Sequence, residues 1–146
     1  MVTKALADQL LQQEKVIAAN LVWRQSGQSY RLEARALATS SGELLRLVGF
    51  VGIKNRSYAL LHRNTPIRKY TVHDRHTNPN TGQVLREPHK HYWDDEWEDH
   101  LAYVPHDIRQ GNPNEEILDF LKECNITLRG SYTSQEFPVQ GDMGVS

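Results

Sequence analysis

The sequence predicts an α+β fold, an antiparallel β-meander of about five or six strands covered by an N-terminal and a C-terminal helix. Three observations predict it. Apolar residues recur at helical spacing near the N-terminus, period-two alternation dominates the middle, and a proline-capped amphipathic segment follows residue 112. The 146 residues suffice for one core, expected over residues 1–129, with residues 130–146 as a flexible C-terminal tail.

Between residues 3 and 20, Leu6, Leu10 and Ile17, with Leu21 just beyond, fall close to one helical face, and Thr3 offers an N-cap hydroxyl. Residues 21–25 and 29–38 flank the turn Ser26-Gly27-Gln28. The second run alternates Tyr30, Leu32, Ala34 and Ala36 with Arg31, Glu33 and Arg35, as a half-buried strand does. Thr39-Ser40-Ser41-Gly42 then leads into residues 44–53, a nearly continuous apolar run that reads as a central strand. Within it Gly49 and Gly52 mark a bend or a close approach. Residues 58–62 and 67–76 read as strands interrupted near Pro66, because proline cannot donate to a ladder. Asn78-Pro79-Asn80-Thr81-Gly82 is a dense turn signal, after which residues 89–94 and 101–104 complete the meander. Asn112-Pro113 caps the last helix, and Glu115 and Glu116 favour the positive end of its dipole. Its buried stripe is Ile117, Leu118, Leu121 and Cys124. Three glycines, a proline and little apolar periodicity mark residues 130–146 as the tail.

A net charge of −1 excludes a global pull toward nucleic acid or an anionic membrane, so such binding requires a local patch. Charge does separate locally. Lys54, Arg56, Arg63, Arg68, Lys69 and Arg75 stand against Asp74 alone, whereas Asp94, Asp95, Glu96, Glu98 and Asp99 form an acidic run. The lone Cys124 excludes an internal disulfide and reads as a small core residue. No leader pattern and no membrane-length apolar run is present, so a cytoplasmic location is expected.

His73, Arg75, His76, His89 and His91 concentrate imidazoles and a guanidinium around one turn, and alternation puts His89 and His91 on the same face. A loop over residues 78–86 sets His73 opposite His91 and Arg75 opposite His89; a slip by one residue disperses the group. Free imidazole titrates at about pH 6.5, so a cluster can supply both a base and an acid without a metal. RNA cleavage uses that pairing. Of His76, His89 and His91, one would take the 2′-hydroxyl proton and another protonate the leaving oxygen, with Arg75 or Lys90 stabilising charge at phosphorus. His73 and Tyr92 complete the expected substrate contacts, Tyr92 or Trp93 by stacking on a base, and no cofactor is required.

The same rings support two other readings. An H-x-H pair with a third imidazole from a neighbouring strand is a workable zinc set, to which Asp94 or Asp95 could add an oxygen. Histidines that merely hydrogen-bond across a hairpin need no ligand. Elsewhere, the acidic run reads as an edge that discourages strand association. His62, His100 and His106 read as surface or cap residues, and Trp23, Trp93 and Trp97 as core or rim.

His76-Thr77-Asn78-Pro79, Gly82 and Pro88-His89-Lys90-His91-Tyr92 resemble the H-x-N-P…G…P-H-x-H pattern of an uncharacterised family of small bacterial proteins. Ala102-Tyr103-Val104-Pro105 and Asp119-Phe120-Leu121-Lys122-Glu123-Cys124-Asn125-Ile126 resemble its closing segment. That family is in turn similar in layout to small toxins of the TumE type from bacterial toxin–antitoxin pairs. Together with the histidine chemistry, the resemblance implies a small bacterial or mobile-element effector, a toxin-like, metal-independent endoribonuclease. Separated basic and acidic surfaces support a second class, a non-enzymatic phage or mobile-element protein that inhibits a host defence complex or pairs with an antitoxin-like partner. A histidine-ligated metal protein is the third. Whether the chain is an enzyme is open at this level; RNA or a protein is the expected partner, and a membrane is not.

Overall fold

A computed structural model describes residues 2–73, 75–109 and 111–138. Along the chain run α1 (Lys4–Gln12), β1 (Lys15–Ile17), β2 (Arg24–Ser26), β3 (Ser29–Ala38), β4 (Leu44–Val51), β5 (Arg56–His62) and β6 (Thr65–Val72). There follow β7 (His76–Thr77), β8 (Val84–Leu85), β9 (His89–Asp94), β10 (Glu98–Tyr103), α2 (Pro113–Glu123) and β11 (Ile126–Leu128). Strand accounts for 44% and helix for 15%, so the protein is mostly β. The expected α+β meander under two helices is not what forms. Instead a nine-stranded mixed sheet runs β10-β9-β6-β5-β4-β3-β1-β11, with β2 sharing the outer edge of β3, and β7 and β8 make a separate two-stranded sheet.

Two local causes explain the correction. The helical stripe ends at Gln12 because the β-branched Val16 and Ile17 extend as β1. Lys15 turns its ammonium back onto the carbonyls of Leu10, Leu11 and Gln13, closing the helix end. Beyond α2, β11 pairs parallel with β1 through Lys15↔Ile126, Val16↔Thr127 and Ile17↔Leu128, a contact between chain ends that no meander contains.

Other expectations hold locally. Thr3 accepts from the Leu6 N–H, and Asn112 accepts from the Asn114 N–H ahead of α2. Pro66 sits where the β5–β6 register shifts, between Leu60 and Leu61. At Gly49 a Cβ would lie 2.7 Å from the Trp23 ring, so close approach, rather than a bend, requires glycine there. Trp23, Trp93 and Cys124 are buried.

The core lies on one face of the sheet, where Leu32, Leu47, Tyr58, Leu60 and Tyr70 are at most 2% exposed. Arg56 holds α2 there. Its Nε and Nη2 donate to the Glu116 carboxylate at 2.6 and 2.8 Å, and the Tyr58 hydroxyl donates to it at 2.8 Å. Bidentate geometry and the third donor offset the cost of burying this pair. Within residues 130–138, part of the expected tail, two aromatic residues pack against the sheet. Tyr132 bridges to Leu21 and accepts from Trp23 Nε1 at 2.8 Å, and the Phe137 ring stands edge-on to Trp23 and Tyr30. Residues 139–146 of that segment lie outside the described residues. No helix among the described residues is long and apolar enough to cross a membrane.

Candidate metal centre

Strand alternation along β9 puts His89 and His91 on the face opposite Lys90 and Tyr92. Their ladder partners on β6 are Thr71 for His89 and Lys69 for His91, in place of the expected Arg75 and His73. The physical reason is the end of β6. The chain leaves the ladder after Val72, and His73 takes a left-handed conformation with φ 64°. His73 and Arg75 are therefore exposed beyond the ladder rather than facing β9. Because the register differs by four residues, an even number, the pair His89 and His91 still shares one face.

The third imidazole comes from a different direction. Between β7 and β8 the chain turns at Gly82, φ 76°, and the hairpin docks on the outer side of β10. Asn78 does the docking. Its Oδ1 accepts from the Ala102 N–H at 2.8 Å and its Nδ2 donates to the Ala102 carbonyl at 2.9 Å, so one side-chain amide occupies outward peptide groups of an edge strand. Two residues earlier His76 donates Nε2–H to the His100 carbonyl at 2.6 Å and presents its ring to β9. In the H-x-N segment the histidine thus enters the cluster and the asparagine fastens the hairpin.

Centroid separations are 4.5 Å for His76–His91, 5.0 Å for His89–His91 and 5.5 Å for His76–His89. One ring nitrogen from each lies within 4.8 Å of the others. Carbonyl oxygens only accept, which assigns the tautomers. His89 donates Nδ1–H to the Glu87 carbonyl at 2.9 Å, His91 donates Nδ1–H to the Asp99 carbonyl at 2.9 Å, and His76 donates as above. In the neutral rings the lone pairs therefore sit on His76 Nδ1, His89 Nε2 and His91 Nε2. The Thr71 hydroxyl donates to His89 Nε2 at 2.8 Å. His89 is fully buried, while His76 and His91 are partly exposed. Burial pushes His91 down to about 4; His76, His89 and Lys69 push the same way, and the Asp99 carbonyl opposes them.

A model of a family of unknown function, DUF6978, matches residues 2–126. The chain belongs to that family. No curated protein and no solved structure matches it. The matched span contains both halves of the DUF6978 member's histidine cluster, and an uncharacterised family is what its histidine motifs resemble.

Of the residues read from the sequence, His76, His89 and His91 come together. Lys90 and Tyr92 point to the other face, where the Lys90 ammonium is held by Asp107 at 2.9 Å and Glu123 at 3.1 Å and Tyr92 packs near Tyr103. Asp94 accepts from the Glu96 and Trp97 N–H groups within its own turn, and Asp95 accepts from the Lys4 N–H near the start of α1. His62, read as a surface or cap residue, is 4% exposed and bonds Glu43 at 2.8 Å. Thr71, Lys69 and the three carbonyl acceptors were missed. Period-two spacing shows Thr71 and Lys69 to share a face, but only the long-range register sets that face beside β9.

Proposed function

We propose that this protein binds a divalent transition metal, zinc being the best match, through His76, His89 and His91 in a mononuclear centre. One observation carries the reading: each ring donates an N–H to a backbone carbonyl, and one ring nitrogen from each of the three lies within 4.8 Å of the others. Carbonyl acceptors behind imidazole ligands fix tautomer and orientation in the way metal sites require. Tetrahedral zinc with bonds of about 2.0–2.1 Å needs nitrogens roughly 3.4 Å apart, so the widest pair closes by at most about 1.5 Å and Thr71 gives up His89 Nε2. Three protein ligands leave a fourth position for a ligand from solution, which suits a catalytic or ligand-exchanging centre better than a purely structural one.

Elemental analysis of the purified chain tests this. About one metal per chain is expected, lost on dialysis against EDTA and lost in the double variant His89→Ala, His91→Ala. A folded protein that carries only background metal after zinc loading, or a double variant that retains it, overturns the reading. The toxin-like endoribonuclease uses the same three rings but requires a protonated imidazole among two others, a costlier arrangement at these separations. RNA cleavage that survives EDTA would favour it. Placement as a bacterial or mobile-element effector rests on the motif resemblance alone.

A further inference from the structure

Zinc on three neutral imidazoles takes its last ligand from solution, and the groups beside that position select what enters. Lys69 is the cross-strand neighbour of His91 on the same face of the β6–β9 ladder, where directly opposed side chains stand about 5 Å apart at their Cβ atoms. The centre opens toward this side, because His76, His91 and Lys69 are partly exposed while His89 and Thr71 are buried. Three other lysines are engaged elsewhere: Lys4 by Asp8, Lys15 by the end of α1, Lys90 by Asp107 and Glu123. No ion pair engages Lys69 among the described residues. With a metal on the three histidines, a dication and an ammonium would flank one partly open position.

We propose that this position binds a phosphomonoester group, one phosphoryl oxygen on the metal and another on the Lys69 ammonium. The proposal rests on the metal reading of the histidine cluster. Charge selects the class. A phosphomonoester brings up to two negative charges and oxygens that diverge toward two cations, whereas a carboxylate brings one charge. Free phosphate shares this chemistry.

The test is a titration of the full chain loaded with cobalt(II), followed by visible absorption, using phenyl phosphate, inorganic phosphate and acetate. Phenyl phosphate is expected to bind at least about tenfold more tightly than acetate, as a charged hydrogen bond implies. Lys69→Met should lose about tenfold in phosphate affinity while keeping the cobalt stoichiometry and the acetate response, and Lys69→Arg should recover most of the loss. Tighter binding of phenyl phosphate than of inorganic phosphate assigns the ester as ligand, and the reverse order overturns the ester in favour of free phosphate. Equal affinities for phosphate and acetate, or an unchanged Lys69→Met, overturn the proposal while the metal reading stands. Failure to take up cobalt overturns both.

Discussion

Acid weakens this fold through His91, and the size of the effect follows from its surroundings. In the unfolded chain the ring takes a proton near its ordinary value of 6.5; in the folded protein burial and the nearby His76, His89 and Lys69 delay uptake until about pH 4. Between those values the unfolded state binds the extra proton, so folding stability is complete above about pH 6.5 and declines as pH falls toward 4. The full interval is equivalent to roughly 3 kcal/mol, and partial exposure of the ring reduces the expected loss to about 2 kcal/mol. Urea unfolding of the EDTA-treated protein and of His91→Gln, followed by far-ultraviolet circular dichroism between pH 4 and 7.5, isolates this one group. Glutamine keeps an N–H for the Asp99 carbonyl but does not titrate. The stability difference, wild type minus variant, should therefore shrink by about 2 kcal/mol on acidification. A difference that stays constant across the range would refute the claim that His91 is held neutral by burial.

Removing the hairpin fastener by Asn78→Ala deletes both hydrogen bonds to Ala102 and should cost about 2 kcal/mol in urea unfolding. Metal affinity should fall with it, since His76 rides on the same hairpin; a variant with wild-type stability and affinity contradicts the docking argument. Glu116→Gln leaves the Arg56 guanidinium buried beside a neutral amide and should lower stability by about 3 kcal/mol or more, read from thermal or urea midpoints. An unchanged midpoint would show that the pair does not anchor α2. At pH 7.5, zinc at a hundredfold excess over its dissociation constant should stabilise the fold by about 2.7 kcal/mol, and His89→Ala should abolish that gain. Equal stabilisation of the variant would place the bound zinc elsewhere.

What was legible in the sequence depended on locality. The shared face of His89 and His91 follows from the two-residue period of one strand, and it survives the register error because that error is even. The caps at Thr3 and Asn112 are equally local. The α-to-β switch at Val16 was not, since Ile17 also continues the helical stripe and only pairing with β3 and β11 rewards extension. Parallel pairing of residues 15–17 with 126–128 joins segments more than a hundred positions apart, and no pattern in either announces the other. Tyr132 and Phe137 sit among glycines and polar residues, so their packing on Trp23 and Tyr30 is visible only once the sheet exists. At the site, Asn78 carried an ordinary turn signal; its amide bonds to β10 could not be inferred without knowing which strand becomes the edge.

The β7–β8 hairpin joins two tasks that are separate in most sheets. A two-residue ladder is too short to be stable by itself, so the hairpin keeps its place through side chains, namely Asn78 on Ala102 and His76 on His100. Those contacts cover the outward peptide groups of β10, which otherwise invite pairing with another chain. They also fix the one imidazole that β9 cannot supply. A metal held by His76, His89 and His91 would tie hairpin and sheet at a third point, so occupancy and edge protection would be coupled: stripping such a metal would loosen the hairpin and bare the edge. By reciprocity, a change that frees the hairpin lowers metal affinity by the same free energy. The site is consequently placed at the margin of the sheet, where a marginal element can respond to its ligand, and away from the Arg56–Glu116 core that holds the rest of the protein together.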